Sequence, residues 1–103
     1  MAQAIITKDD IIGLGESAFR TISVSDTMLI TDDIIECTAT LTLTLLTAVG
    51  IVGKTVIVKN SSTSSIVTLD GFSTETIEGE LTQTIAGGDS YTLVSNGTNW
   101  ILI

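Results

Sequence analysis

Hydrophobic and polar residues alternate most regularly at residues 40–45, where Thr and Leu repeat with a period of two. Successive residues of a β-strand point to opposite faces of a sheet, so Leu41, Leu43 and Leu45 are predicted to face a core. Shorter runs of apolar and β-branched residues recur along the chain, with Gly, Asn, Asp or Ser between them. The predicted strands span residues 22–24, 27–31, 34–37, 40–45, 54–59, 66–69, 75–78, 81–85, 91–94 and 99–103.

The last predicted strand is apolar on both faces. It follows Asn96-Gly97, a dipeptide that favours a tight hairpin turn because both residues tolerate a positive φ. Residues 91–94 and 99–103 are therefore predicted to pair as a hairpin. The run from Trp100 to Ile103 further predicts a central strand, with one face on its own core and the other on a neighbouring element or subunit.

The strand pattern predicts an all-β fold. Short strands about 8–12 residues apart, separated by glycine turns, are typical of a single antiparallel β-sandwich or jelly-roll-like domain. A chain of 103 residues fits one such domain, which is expected to span residues 21–103. The pattern does not distinguish a sandwich from a jelly roll.

Residues 1–20 have a different pattern and are predicted to form an extended N-terminal arm. Gly13 and Gly15 would weaken a helix there. The apolar residues of the arm would be unfavourable in water, so they are expected to lie on their own domain, on a neighbouring subunit or on a partner. The expected contact residues of the arm are Ile5, Ile6, Lys8, Asp9, Asp10, Ile11, Ile12, Phe19 and Arg20.

Composition and charge narrow the classes of partner. The chain is 44% hydrophobic and 16% charged, whereas a soluble domain is about a quarter charged, so part of its surface is expected to be covered. The net charge is −8 with four basic residues, which excludes nucleic acid and anionic membrane surfaces as expected partners. No run approaches the roughly 18 apolar residues of a transmembrane helix.

The residues for catalysis or metal binding are sparse. The chain has no histidine, which is the commonest general base and metal ligand. Asp9-Asp10 and Asp32-Asp33 lack the ligand spacing of a calcium loop. Cys37 is the single cysteine and is expected to be a small core residue. We therefore expect no enzyme activity, no cofactor and no bound metal.

The second half of the chain resembles a module found in virion proteins of tailed bacteriophages. The segments that carry the resemblance are TLTLLTAVGIVGKTVIVKN, VTLDGFSTETIEGE and GGDSYTLVSNGTNW. They follow the order of the family pattern, which is T-L-x-L, a Pro-containing turn, G-x-x-G-K, an I-K-N strand end, V-T-I-D, T-I-x-G and S-x-x-L-x-S-x-G-x-N-W. A proline that the family has near residues 45–47 is absent here, and Leu69 and Glu78 replace similar residues.

The resemblance, which does not cover residues 1–20, implies a homotrimeric, non-catalytic virion protein. The chain starts with Met and is expected to be complete, which favours a small capsid decoration (cement) protein bound to the major capsid protein on the outer capsid surface. The alternatives are a short head-fibre or tail-tip protein that contacts the host, and a non-viral adhesive module. The residues expected in the core or the trimer interface are Leu41, Leu43, Leu45, Trp100, Ile101, Leu102 and Ile103.

Overall fold

The structure is a computed structural model that describes residues 17–103. These residues form nine β-strands and no helix, so the predicted all-β fold is confirmed. The predictions for residues 1–16, which include most of the predicted arm, concern residues outside the described range. The strands are β1 (Phe19–Ile22), β2 (Asp26–Thr27), β3 (Ile34–Cys37), β4 (Leu41–Thr44), β5 (Thr55–Asn60), β6 (Val67–Asp70), β7 (Thr82–Ile85), β8 (Ser90–Ser95) and β9 (Trp100–Leu102).

The strands form two mixed sheets that enclose one core. The five-stranded sheet has the order β1-β3-β5-β8-β9, and the four-stranded sheet has the order β2-β4-β6-β7. From β1 to β6 the chain changes sheet after every strand. Each new strand lies parallel to the strand two places before it. The chain then closes each sheet with antiparallel pairs, β6–β7 in one sheet and β5–β8–β9 in the other.

The predicted antiparallel arrangement is wrong for the first two thirds of the described domain. Four of the seven strand pairings within residues 17–103 are parallel. The physical reason is that the connections at residues 28–33, 45–54 and 61–66 cross from one sheet to the other. A hairpin would have returned the chain along the same sheet and produced an antiparallel pair.

The core lies between the sheets and is built from the alternate residues of each strand. Leu41, Leu43 and Leu45 are buried there, as are Val56, Val58 and Leu93 from the opposite sheet. Trp100 is fully buried, and its indole Nε1 donates a hydrogen bond of 3.0 Å to the carbonyl oxygen of Leu46. A buried indole N–H needs such a partner.

The predicted hairpin of residues 91–94 and 99–103 is confirmed, but the predicted central position of its second strand is wrong. β9 pairs with β8 on one side and is the edge strand of its sheet. Its outer side is instead covered by the 71–81 loop. There Trp100 N donates to Thr76 O (2.9 Å), Glu78 N donates to Trp100 O (2.9 Å), and Leu102 N donates to Glu78 Oε2 (2.8 Å). The single chain therefore covers the Trp100 strand itself.

A charged cluster closes the sandwich at β1 and β2, where the two sheets begin. The Arg20 guanidinium reaches from β1 to Asp26 in β2, with Nη1 2.8 Å from Asp26 Oδ2. It also donates to both carboxylate oxygens of Asp32, at 2.7 and 3.1 Å. We call Arg20, Asp26 and Asp32 the Arg20 clamp. It joins the two sheets and the 28–33 loop.

Candidate interaction surfaces

The outer face of the five-stranded sheet is apolar over two neighbouring rows. The inward residues of these strands, such as Val58 and Leu93, lie in the core, so their chain neighbours point outward. The first row, in strand order, is Phe19, Ile34, Ile57, Thr92 and Ile103, and the second is Thr55, Val94 and Ile101. The six apolar residues of these two rows are called the apolar face: Phe19, Ile34, Ile57, Val94, Ile101 and Ile103.

The residues of the apolar face are exposed or half-buried in the single chain. Phe19 is 61% exposed and Ile103 is 76% exposed, at the two ends of the first row. Ile34 and Ile57 lie between them and are half-buried, as are Val94 and Ile101 of the second row. Contiguous apolar surface of this kind marks a contact surface more often than scattered single residues do.

The outer face of the four-stranded sheet has the opposite character. Threonines lie side by side across β4, β6 and β7, because Thr42 pairs with Thr68 and Thr68 with Thr84. A second row runs from Thr44 to Asp70 and continues into β7. We call this surface the threonine face: Thr27, Thr42, Thr44, Thr68, Asp70, Thr82 and Thr84. The two outer faces of one sandwich therefore suit different surroundings, one water and the other a protein surface.

Two charges border the apolar face, and both are engaged within the chain. The Glu36 carboxylate accepts hydrogen bonds from Ser61 Oγ (2.7 Å) and Thr21 Oγ1 (3.0 Å), which hold its pKa below the ordinary value. Lys59 Nζ donates to the carbonyl oxygen of Gly88. The apolar face itself carries no charged side chain.

A second apolar surface lies at one end of the sandwich. Because β2, β4 and β6 are parallel, they all end there, and the loops that follow them lie next to one another in strand order. We call this surface, made of loops 28–33, 45–54 and 71–81, the loop end. Its exposed apolar residues are Leu29, Ile30, Val49, Val52, Phe72 and Leu81.

Polar side chains fix the backbone of the loop end. Asp32 Oδ2 accepts a hydrogen bond of 2.8 Å from Leu29 N in the first loop. Glu75 of the third loop accepts from Ala48 N (2.8 Å) and from Thr47 Oγ1 in the second. These bonds hold the backbone while the apolar side chains remain exposed. A surface fixed in this way loses little conformational freedom when it binds.

The N-terminal segment joins the domain at the loop end. Ala18 O accepts hydrogen bonds from Asp33 N (3.2 Å) and Ile34 N (2.9 Å), and Ala18 N donates to Asp33 Oδ2 (2.8 Å). Lys54 Nζ, from the second loop, lies 3.3 Å from Asp33 Oδ1. The described part of the chain therefore begins beside the exposed loops.

The structure separates the residues expected at contact sites into different environments. Phe19 and Arg20, expected in the arm, lie in β1, where Phe19 belongs to the apolar face and Arg20 to the clamp. Of the expected core or trimer residues, Ile101 and Ile103 are on the apolar face, and Leu102 packs partly buried against the core. The remaining four are buried: Leu41, Leu43, Leu45 and Trp100. Ile5, Ile6, Lys8, Asp9, Asp10, Ile11 and Ile12 lie outside the described residues.

The sequence analysis singled out half of the apolar face, namely Phe19, Ile101 and Ile103, and none of the exposed apolar residues of the loop end. The signal for the apolar face is a strand with apolar residues at consecutive positions, as at Ile34-Ile35 and residues 56–58. The apolar residues of the loop end, for example Val52 and Phe72, come from three separate connections, and only the parallel stacking of strands brings them together.

Cys37 and the acidic residues offer no reactive centre in the described part of the chain. Cys37 is fully buried, and burial raises the pKa of its thiol to about 11, so the thiolate is scarce at neutral pH. No group of His, Cys, Asp or Glu side chains within residues 17–103 is arranged to hold a metal ion. The same residues contain no helix long and apolar enough to cross a membrane.

Comparisons with known proteins add no family assignment. No family model matches the chain, and no curated protein matches it.

Proposed function

We propose that this protein is a structural virion protein, a capsid decoration protein that binds as homotrimers to the outer surface of a tailed-phage capsid. Its partners are the major capsid protein and two further copies of itself, and the role requires no catalysis and no cofactor. The motif order of residues 40–100, from the Thr-Leu strand to the Asn-Trp hairpin, supports the virion family.

The observation that carries the proposal is the position of Ala18, which is held beside the loop end by hydrogen bonds with Asp33. The arm precedes this point in the sequence, and we propose that its apolar residues bind on the same side of the molecule as those of the loop end. We propose that the two together form the capsid-binding surface. The threonine face and the opposite end of the sandwich then remain in water.

The energy of such an attachment comes mainly from the arm. Burial of one Ile side chain contributes roughly 1.5–3 kcal/mol before the cost of ordering the arm is subtracted. Ile5, Ile6, Ile11 and Ile12 would supply most of that area. Three arms on one trimer raise the effective concentration of the second and third contacts, so the trimer binds far more tightly than one arm.

Co-sedimentation tests this proposal. Full-length protein is mixed with capsids assembled from the major capsid protein of the virus that encodes it, and the pellet is assayed. A variant that lacks residues 2–16 keeps Phe19 and Arg20 in place, so its domain should fold with Trp100 buried and native in fluorescence. We expect this variant to stay in the supernatant and the full chain to pellet. A full chain that does not pellet would reject the proposal.

Two matched substitutions locate the contact. Val52→Asp changes the most exposed apolar residue of the loop end, which is 75% exposed, whereas Thr68→Asp places the same charge on the threonine face. We expect Val52→Asp to weaken capsid binding and Thr68→Asp to leave it unchanged. Equal effects of the two variants would argue against the loop end as the contact.

The alternative function, a short head-fibre or tail-tip protein, is based on the end of the sandwich opposite to the loop end. The exposed Ser-rich connection at residues 61–66 lies at the end opposite to the arm, beside the turn at residues 86–89. An attached molecule would present this end outward, where a host surface is met. Specific binding on a glycan array, lost when residues 61–65 are replaced by another linker, would favour this function.

A further inference from the structure

We propose that the apolar face is the surface through which three copies of this chain pack around a threefold axis. This inference rests on the homotrimer in the proposed function and names the interface, which neither the motif order nor the position of the arm identifies. The partner is a second copy of the same chain, and Ile57 lies at the centre of the contact. β5, which carries Ile57, is the middle strand of the five-stranded sheet.

The charge of the molecule favours this face for self-association. Each copy carries a net charge of −8, so two identical copies repel one another wherever acidic surfaces meet. The loop end carries Glu78 and Glu80, and the threonine face carries Asp70. No side chain of the apolar face is charged, and the carboxylate at its border, Glu36, is already bonded to Ser61 and Thr21. Identical copies meet there with the least electrostatic repulsion.

The pairing pattern makes the face continuous enough to pack. Its first row crosses all five strands, from Phe19 on β1 to Ile103 beside β8. The strand ladders fix the backbone beneath these side chains, so little freedom is lost on association. The centre of such a patch, away from the polar border, is where contact residues contribute most to binding.

The size of the face predicts the strength of the contact. Five strands spaced about 4.8 Å apart give a width of roughly 20 Å, and the two rows, which lie about 7 Å apart, span roughly 14 Å along the strands with their borders. The resulting area, on the order of 300 Å², is less than half of the roughly 800 Å² per partner that a stable interface buries. We therefore expect a trimer that dissociates on dilution and becomes stable when the copies are held together on a capsid.

Light scattering on the full chain, from low micromolar to near-millimolar concentration, tests the inference. The wild-type chain should rise from the monomer mass of 10.8 kDa towards three times that value. Ile57→Asp should raise the concentration at the midpoint of this rise by at least about 30-fold, which is the loss of affinity expected when a residue at the centre of an interface is replaced. Thr68→Asp is the matched control, because Thr68 points outward from an inner strand of the other sheet. It should behave as the wild type.

Trp100 fluorescence establishes that each variant is folded, because the only Trp of the chain is fully buried in the core. If Ile57→Asp is folded and still trimeric, the apolar face is not the interface. A wild-type chain that stays monomeric at every concentration, or a Thr68→Asp chain that dissociates equally, also overturns the inference.

The outcome of the capsid co-sedimentation assay is independent of the outcome of the light-scattering assay. Trimers that dissociate on Ile57→Asp but never sediment with capsids would support the interface and reject the decoration function. Monomers that sediment with capsids would support attachment to the capsid and reject both the homotrimer and the interface.

Discussion

Replacement of Asp32, a buried residue of the loop end, by asparagine should be strongly destabilising. Its side chain is 5% exposed and accepts three hydrogen bonds, from Arg20 Nε (3.1 Å), Arg20 Nη2 (2.7 Å) and Leu29 N (2.8 Å). Asparagine has almost the same shape but no charge, and its amide nitrogen cannot accept the bonds that one carboxylate oxygen accepts. The substitution therefore tests the Arg20 clamp without leaving a cavity.

The expected loss follows from what remains of the clamp. Removal of one partner from a buried ion pair costs about 3–5 kcal/mol. Arg20 keeps its bond to Asp26 and is 27% exposed, so water offsets part of that loss. We expect Asp32→Asn to lower the free energy of unfolding by about 2–3 kcal/mol, which corresponds to roughly 10–20 °C in Tm for a domain of this size. Asp26→Asn is the matched control, because Asp26 contacts the same guanidinium in an exposed position, and its effect should be much smaller.

The assay is urea unfolding followed by Trp100 fluorescence, repeated at several pH values. Burial opposes ionisation of Asp32, but the bonds from Arg20 and Leu29 N outweigh it and hold its pKa below the ordinary value. The stabilisation is therefore present above the unfolded pKa of about 3.9 and is lost as pH falls through the lower folded pKa. Asp32→Asn should remove this part of the acid sensitivity. A loss below about 0.5 kcal/mol at neutral pH would refute the clamp as a stabilising contact.

Three further changes have definite expected outcomes. Asn60→Ala should lower the free energy of unfolding, measured by urea titration, by about 2–4 kcal/mol, because the buried amide donates hydrogen bonds of 2.8 Å to Ser65 O and Ile85 O. Asn96→Ala, in an exposed turn, is the control and should have little effect. Cys37 should react with a thiol reagent only as fast as the domain unfolds, and rapid labelling of the folded protein would contradict its burial. Gly71→Ala should cost about 2 kcal/mol or more, since the new Cβ would lie 2.3 Å from a backbone carbonyl oxygen of the third loop, and an unchanged unfolding midpoint would contradict that close approach.

Local patterns in the sequence predict the strands and the last turn of this fold. The Thr-Leu alternation of residues 40–45 placed Leu43 towards the interior, and Asn96-Gly97 placed a hairpin where β8 and β9 pair. Both features depend on residues that are adjacent in the chain. For that reason they can be recognised without knowledge of the partner strand.

The direction of pairing could not be predicted in this way, because it depends on which sheet each connection enters. The connection at residues 45–54 is compatible with a long hairpin loop or with a crossover between sheets, and its residues favour neither. The sheets do differ in pattern. β4 and β6 alternate strictly and belong to the four-stranded sheet, whereas β5 and β9 have consecutive apolar residues and belong to the five-stranded sheet. Strands apolar on both faces therefore predict that the five-stranded sheet has an apolar outer face, whereas the edge position of β9 depends on the distant 71–81 loop.

The alternation of the chain between two sheets also bears on how fast the domain folds. Each parallel pair joins strands that are distant in sequence, such as Phe19 with Ile34 and Leu41 with Val67. The entropy of loop closure must be lost before such pairs form, and a high contact order slows folding to the range of about milliseconds to seconds. During that time β5, which has apolar residues on both faces, is not yet paired with its neighbouring strands and is prone to aggregation. Folding yield, more than native stability, should therefore limit how much of this protein a cell can accumulate.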